Sequence, residues 1–172
     1  MIKLMCGFVI VMGCGYIGIT MASRLDKEVE QTDRFISALR FLESEISMNG
    51  RVLSEAAAGV SRLWDGVVAD IFGQAARELE ELRGEKVGEV WSRAVEQNRE
   101  RLCLSESSMT IVKDFAALLG SGTRELERDN INAACDKLKI ARDEAAAKAK
   151  KNGAVYRSLG FACGILITVL LL

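Results

Sequence analysis

No histidine and no proline occur anywhere in the chain, and aromatic side chains make up only 6% of it. The missing imidazole removes the commonest general base and the commonest transition-metal ligand. Without proline, nothing interrupts a long helix by deleting a backbone donor. The five cysteines are Cys6, Cys14, Cys103, Cys135 and Cys163, an odd number with no C-x-x-C pair. That scatter supports neither a disulfide framework nor a zinc site, and reads as free thiols in a reducing compartment. A basic excess is missing too: the net charge is −1. Nucleic acid is therefore not expected as a partner.

What is present is unevenly placed. The 172 residues suffice for one domain of ordinary size. Apolar residues make up 49% and charged residues 27%. The first 22 residues carry one charge, Lys3, and the stretch 158–172 carries no side-chain charge. Nearly all the charge lies between. The middle therefore reads as a soluble domain, and the two ends as something else.

Residues 4–23 contain no charge. As a helix this segment is about 30 Å long, the thickness of one bilayer core. It exceeds the apolar run of a cleaved signal peptide and leads straight into charged helix-forming sequence, so a retained anchor is expected. At the other end, SLGFACGILITVLLL spans only about 22 Å of helix. Extended back to Ala154 it gains length at the cost of one charge, Arg157, whose long side chain can reach the interface. The expected organisation is all-α: a transmembrane helix at 4–23, a helical bundle domain at 24–153, and a C-terminal transmembrane helix at 154–172. Basic residues cluster on the inner side of both spans, at Arg24, Lys27, Arg34 and Arg40 and again at Lys148, Lys150, Lys151 and Arg157. That bias places the middle domain in the cytoplasm of a two-pass membrane protein.

A dinucleotide-binding pattern also occurs. Gly13, Gly15 and Gly18 form G-x-G-x-x-G after a β-branched run, and Asp33 follows where a ribose-binding acid belongs. The context argues against it, because residues 26–33 hold one apolar side chain and no later stretch alternates as a strand would. No cofactor is expected. Small residues suit close approach of membrane helices instead. Cys14, Gly18 and Ala22 recur at every fourth position in the first span, and Gly160 and Gly164 do so in the second. Gly18, Ala22, Gly160 and Gly164 are thus candidate packing residues, between the two spans or against another subunit of a homo-oligomer.

Within the middle domain, helical periodicity predicts six helices. The first runs on from the membrane span to Met48, with Phe35, Leu39, Leu42 and Ile46 on one face, and Asn49-Gly50 ends it. The second covers about 52–63. The third covers 65–82, with Val68, Ile71, Phe72, Ala75 and Leu79 inward, and Gly84 breaks it. The fourth covers 89–102 and holds Trp91 and Val95. The fifth covers 106–119 behind a Ser105 cap, with Met109, Val112, Phe115, Ala116 and Leu119 inward. After a break at Gly120-Ser121-Gly122, Thr123 caps a sixth helix from Arg124 to about Lys151. Its expected seam is Leu126, Ile131, Ala134, Leu138, Ala141 and Ala145, paired antiparallel with the first helix. Its basic tail suits anionic headgroups.

No catalytic constellation emerges. Glu78, Glu80, Glu81, Glu125, Glu127 and Asp129 fall among Arg and Lys on faces expected to be solvated. Without histidine, a Ser or Cys nucleophile would need lysine as its base. Trp64 and Trp91 read as core. No metal site is expected.

Two stretches, RFISALRFLESEIS (34–47) and KNGAVYRSLGFACGILITVLLL (151–172), together with the order of parts, resemble the stage III sporulation protein AB family. The family's aromatic-then-Thr-Pro turn is replaced here by Met48-Asn49-Gly50-Arg51. The resemblance implies a non-catalytic membrane subunit needed for endospore formation. Its place would be the mother-cell membrane around the forespore, within a channel-like complex joining the two cells. The family is similar to the inner-membrane platform protein of type II secretion and type IV pilus machines. The resemblance therefore implies other complex subunits as partners, with a cytoplasmic ATPase among them, and membrane lipid around the spans. A membrane-tethered adaptor or regulator with a transient cytoplasmic partner is the alternative.

Overall fold

The computed structural model describes residues 2–81, 86–117 and 124–171. Among them are six α-helices and no strand: α1 (Ile2–Ser47), α2 (Leu53–Leu63), α3 (Val67–Glu81), α4 (Val87–Gln97), α5 (Glu106–Ala117) and α6 (Arg124–Leu171), with a 3₁₀ turn at Arg99–Arg101. Gly13, Gly15 and Gly18 lie inside α1, so no strand-to-helix turn exists there to cradle a pyrophosphate. The expected breaks at Gly84 and Gly120–Gly122, the Thr123 cap and Leu119 lie outside the described residues.

The chain divides into two compact units. One comprises Met1–Val29 with Asp143–Leu172, and the other comprises Glu30–Arg142. The second unit is the helical domain. Its core collects the inward faces that periodicity predicts: Phe35, Leu39, Leu42 and Ile46 from α1, Val68, Ile71 and Phe72 from α3, and Trp91 and Val95 from α4. Val112 and Phe115 of α5 join them. Four aromatic rings run through it in a chain. Phe35 meets Phe72 at 6.5 Å, Phe72 meets Trp91 at 4.8 Å, and Trp91 meets Phe115 at 5.8 Å. The last two pairs are edge-to-face, the arrangement the ring quadrupole favours. Trp64 packs edge-on to Phe41 at the border of the core.

Several boundaries differ from the sequence expectation, each for a local reason. α3 begins at Val67 rather than Asp65, because Gly66 takes a φ of +93° that only glycine adopts easily. The Asp65 carbonyl instead accepts a hydrogen bond from Arg34 Nη1 at 2.8 Å. α4 begins two residues early and stops at Gln97. Asn98 Nδ2 donates to the Ala94 carbonyl at 3.0 Å, competing with the helix's own ladder. The chain then tightens into the 3₁₀ turn. α6 does not stop near Lys151. It continues through Asn152-Gly153 to Leu171, since one interior glycine costs only about 1 kcal/mol in a run of strong helix formers.

Leu126 is 56% exposed and leaves the expected seam. It sits five residues before Ile131, about 140° round the helix. Cys135, four residues after Ile131, is buried in its place. The turn after α1 is held without proline. Gly50 takes a φ of +63°, while Glu45 accepts from Asn49 Nδ2 at 2.8 Å and pairs with Arg51 at 2.9 Å. In this unit α1 and α6 run antiparallel: Asp33 pairs with Arg142 at 3.2 Å, and Cys135 Sγ lies 3.9 Å from the Ile36 carbonyl.

Candidate functional site

The other unit holds the candidate packing residues. A Cβ placed on Gly18 would stand 2.5 Å from the Tyr156 carbonyl oxygen and 3.2 Å from Gly160 Cα. One on Gly160 would stand 2.7 Å from the Cys14 carbonyl oxygen, and one on Gly164 would stand 2.8 Å from Val11 Cα. Real Cβ atoms do not sit that close to backbone, so only glycine permits this approach. Moving from Gly18 to Val11 along α1 corresponds to moving from Tyr156 to Gly164 along α6, so the two segments are antiparallel here too. Ala22 is buried beside them. Gly13 lies off this line, with nothing within 4 Å of a Cβ built on it.

The outer faces of the same unit are apolar and uncovered. Val9, Met12, Ile17 and Met21 on α1 are mostly exposed, as are Leu159, Ile165, Leu166 and Val169 on α6. Both helices are long and apolar enough to cross a membrane. An apolar surface on nearly every side of a helix pair suits lipid rather than water. Two threonine hydroxyls within this stretch are satisfied locally: Thr20 donates to the Tyr16 carbonyl at 2.8 Å and Thr168 to the Gly164 carbonyl at 2.8 Å. In hydrocarbon, such self-satisfaction replaces the missing water.

The helical domain supplies ion pairs and amide bridges. Glu80, Glu81, Glu125 and Asp129 are exposed, whereas Glu78 and Glu127 are half-buried rather than fully solvated. Glu78 pairs with Arg93 at 2.9 Å. Hydrogen bonds from the Lys113 and Arg99 side chains hold the Glu96 carboxyl below its ordinary range, and Lys139 does the same for Asp136. A general acid needs the opposite shift. The sequence reading did not anticipate Gln31, whose amide accepts from the Cys103 backbone N–H at 2.7 Å and donates to the Arg101 carbonyl at 3.3 Å. Gln74 was missed as well. It bridges Glu78, Gln97 and Asn98, beside a polar groove of about 380 Å³. An isolated glutamine on a helix face has no signature that separates it from a solvated one.

Burial pushes the Cys135 thiol above its ordinary pKa, which leaves little reactive thiolate at neutral pH. Alkylation of the native protein with a maleimide should therefore spare Cys135 and modify exposed Cys163 once detergent replaces lipid. Peptide mapping checks this: Cys135 should react only when the domain unfolds. Modification of Cys135 as fast as Cys163 would mean that the α1–α6 seam opens freely.

Known proteins resemble this chain in sequence and in fold. Stage III sporulation protein AB of Bacillus subtilis (strain 168) is 25% identical over 172 residues, covering all of both chains. A solved structure of stage III sporulation protein AB superposes with a TM-score of 0.67 at 20% identity, over 72% of this chain and 96% of that one, and so shares the fold. The family model for stage III sporulation protein AB matches residues 3–172, the two glycine-bearing ends as well as the domain between them. A paired-helix unit, an all-helical domain and a match of that extent together place this chain in the stage III sporulation protein AB family.

Proposed function

We propose that this chain is a non-catalytic, two-pass membrane subunit of a channel-like or secretion-like complex between mother cell and forespore, needed for endospore formation. Its domain faces the mother-cell cytoplasm. Family membership over residues 3–172 supports a role in sporulation. The observation that carries the membrane part is the glycine-lined pair of apolar helix ends, with apolar side chains on their outer faces. Basic residues on the domain side of both ends support the orientation. The ion pairs and the aromatic core serve shape, which suits a scaffold holding other subunits and a cytoplasmic ATPase.

The adaptor reading has one observation in its favour: Met48, Val52 and Leu63 are exposed on the domain. Isolation from sporulating cells in mild detergent separates the two. The subunit reading expects a large stable assembly containing the products of neighbouring operon genes. A lone monomer would overturn it and favour a transient adaptor.

A further inference from the structure

The outward side of α1 carries a group that lipid cannot satisfy. Val9, Met12, Tyr16 and Ile19 are exposed there. Tyr16 stands about 200° round the helix from Gly18, so it faces away from the glycine contact with α6. It is 73% exposed, and its hydroxyl has no hydrogen-bond partner among the described residues. The serine and threonine hydroxyls nearby differ. Thr20, Ser23, Ser158 and Thr168 each donate to a carbonyl of their own helix.

The phenol also lies deep. Gly18 and Gly160 meet backbone to backbone, so the antiparallel register sets Tyr16 level with about Ala162. That level is inside both charge-free runs, 4–23 and 158–172. The midpoint of the first run falls between Gly13 and Cys14, about 4 Å from Tyr16 along the axis. A helical side chain leans toward the N-terminus of its helix, which carries this phenol toward the midpoint. Half a bilayer core is about 15 Å, so the hydroxyl reaches neither headgroup nor water. Tyr156 makes the contrast: it is level with about Ala22, near the end of the run, where a phenol finds water.

We propose that this face of α1 pairs with the same face of a second copy of the chain, the two Tyr16 hydroxyls bonding each other near a two-fold axis. Copies in one membrane share an orientation, so their α1 helices run parallel and equal residues stand at equal depth. A phenol hydroxyl both donates and accepts, so two of them satisfy each other with no third group. Steps of three, four and three residues from Val9 to Ile19 trace the seam of a left-handed helix pair. The three apolar side chains would suit lipid equally well. The tyrosine is what favours a helix over lipid, because a hydroxyl in hydrocarbon gains from a partner across the interface. The pairing rests on the membrane-spanning reading of both ends and adds the surface through which copies meet.

The test reconstitutes the full chain in phosphatidylcholine vesicles, with donor and acceptor fluorophores on separate copies, and follows energy transfer as lipid is added. The parent should show transfer above that of randomly mixed monomers, fading at high dilution. Tyr16→Phe keeps the ring and deletes the hydroxyl. It should need about threefold more protein per lipid for half-maximal transfer, the worth of one interhelical hydrogen bond. Ile165→Ala, on the exposed side of α6, should match the parent. In chains whose native cysteines are alanine, oxidation should cross-link Met12→Cys copies and spare Met21→Cys copies, since Met21 is exposed on another side of α1. Parent transfer no greater than random mixing would overturn the pairing, as would Tyr16→Phe associating as tightly as the parent or equal cross-linking at the two positions. So would a monomeric parent whose larger complex is lost in Tyr16→Phe, which would give the face to another subunit's helix. A chain that enters vesicles yet stays monomeric removes the pairing and leaves the membrane reading standing. A chain that never enters them removes both.

Discussion

Replacing Trp91 with alanine is expected to cost the helical domain about 3–5 kcal/mol, the range for removing a large aromatic from a packed core. Trp91 is 4% exposed and forms the middle of the ring chain, edge-on to both Phe72 and Phe115. Its indole Nε1–H donates to the Val112 carbonyl at 2.8 Å, tying α4 to α5. Alanine removes both ring contacts and the tie. Against a typical total of about 5–15 kcal/mol, that loss leaves the domain marginal. Trp91→Phe keeps an aromatic between Phe72 and Phe115 but deletes the donor. It should lose about 1 kcal/mol for the hydrogen bond plus a smaller packing term. Urea unfolding followed by circular dichroism measures both. A loss below about 1 kcal/mol for the alanine variant would mean that the aromatic chain is peripheral to stability.

Gly160→Leu should separate the two apolar helix ends while leaving the domain folded. Its Cβ alone would stand 2.7 Å from the Cys14 carbonyl oxygen and 3.1 Å from Gly18 Cα. Both are backbone atoms, which cannot swing aside as a side chain can. Overpacking of this kind costs about 1–3 kcal/mol when the structure relaxes locally. Here relaxation means moving a helix. Spin labels on exposed Val9 and Leu166 should report a distance longer by about 2 Å, toward the ordinary 8–10 Å spacing of helix axes. The midpoint of domain unfolding should not move, and assembly into a larger complex should fall sharply. Gly13→Leu, with open space at its Cβ, serves as the control. An unchanged distance in Gly160→Leu would remove the glycine contact as a determinant of the pair.

The helical periodicity of Phe35, Leu39, Leu42 and Ile46 was legible because a half-buried helix repeats its burial every three to four residues. The same rule misplaced Leu126. A leucine near the seam looks like part of it until the angle from Ile131 is counted, and Cys135, four residues after Ile131, is the true seam residue. The end of α4 depended on whether Asn98 turned its amide back onto Ala94, a choice made by packing against Gln74 and not by propensity. The small-residue stripes were visible as spacing. Which helix each stripe met was not, since G-x-x-x-G reads the same facing its own chain or another.

Both apolar ends lodging in lipid is the central claim, and fractionation of the intact chain tests it most directly. Membranes from cells making the full-length protein are washed in alkaline carbonate and spun at high speed without detergent. The account predicts that the protein stays in the pellet and enters solution only when detergent is added. Full-length protein in the carbonate supernatant would contradict it.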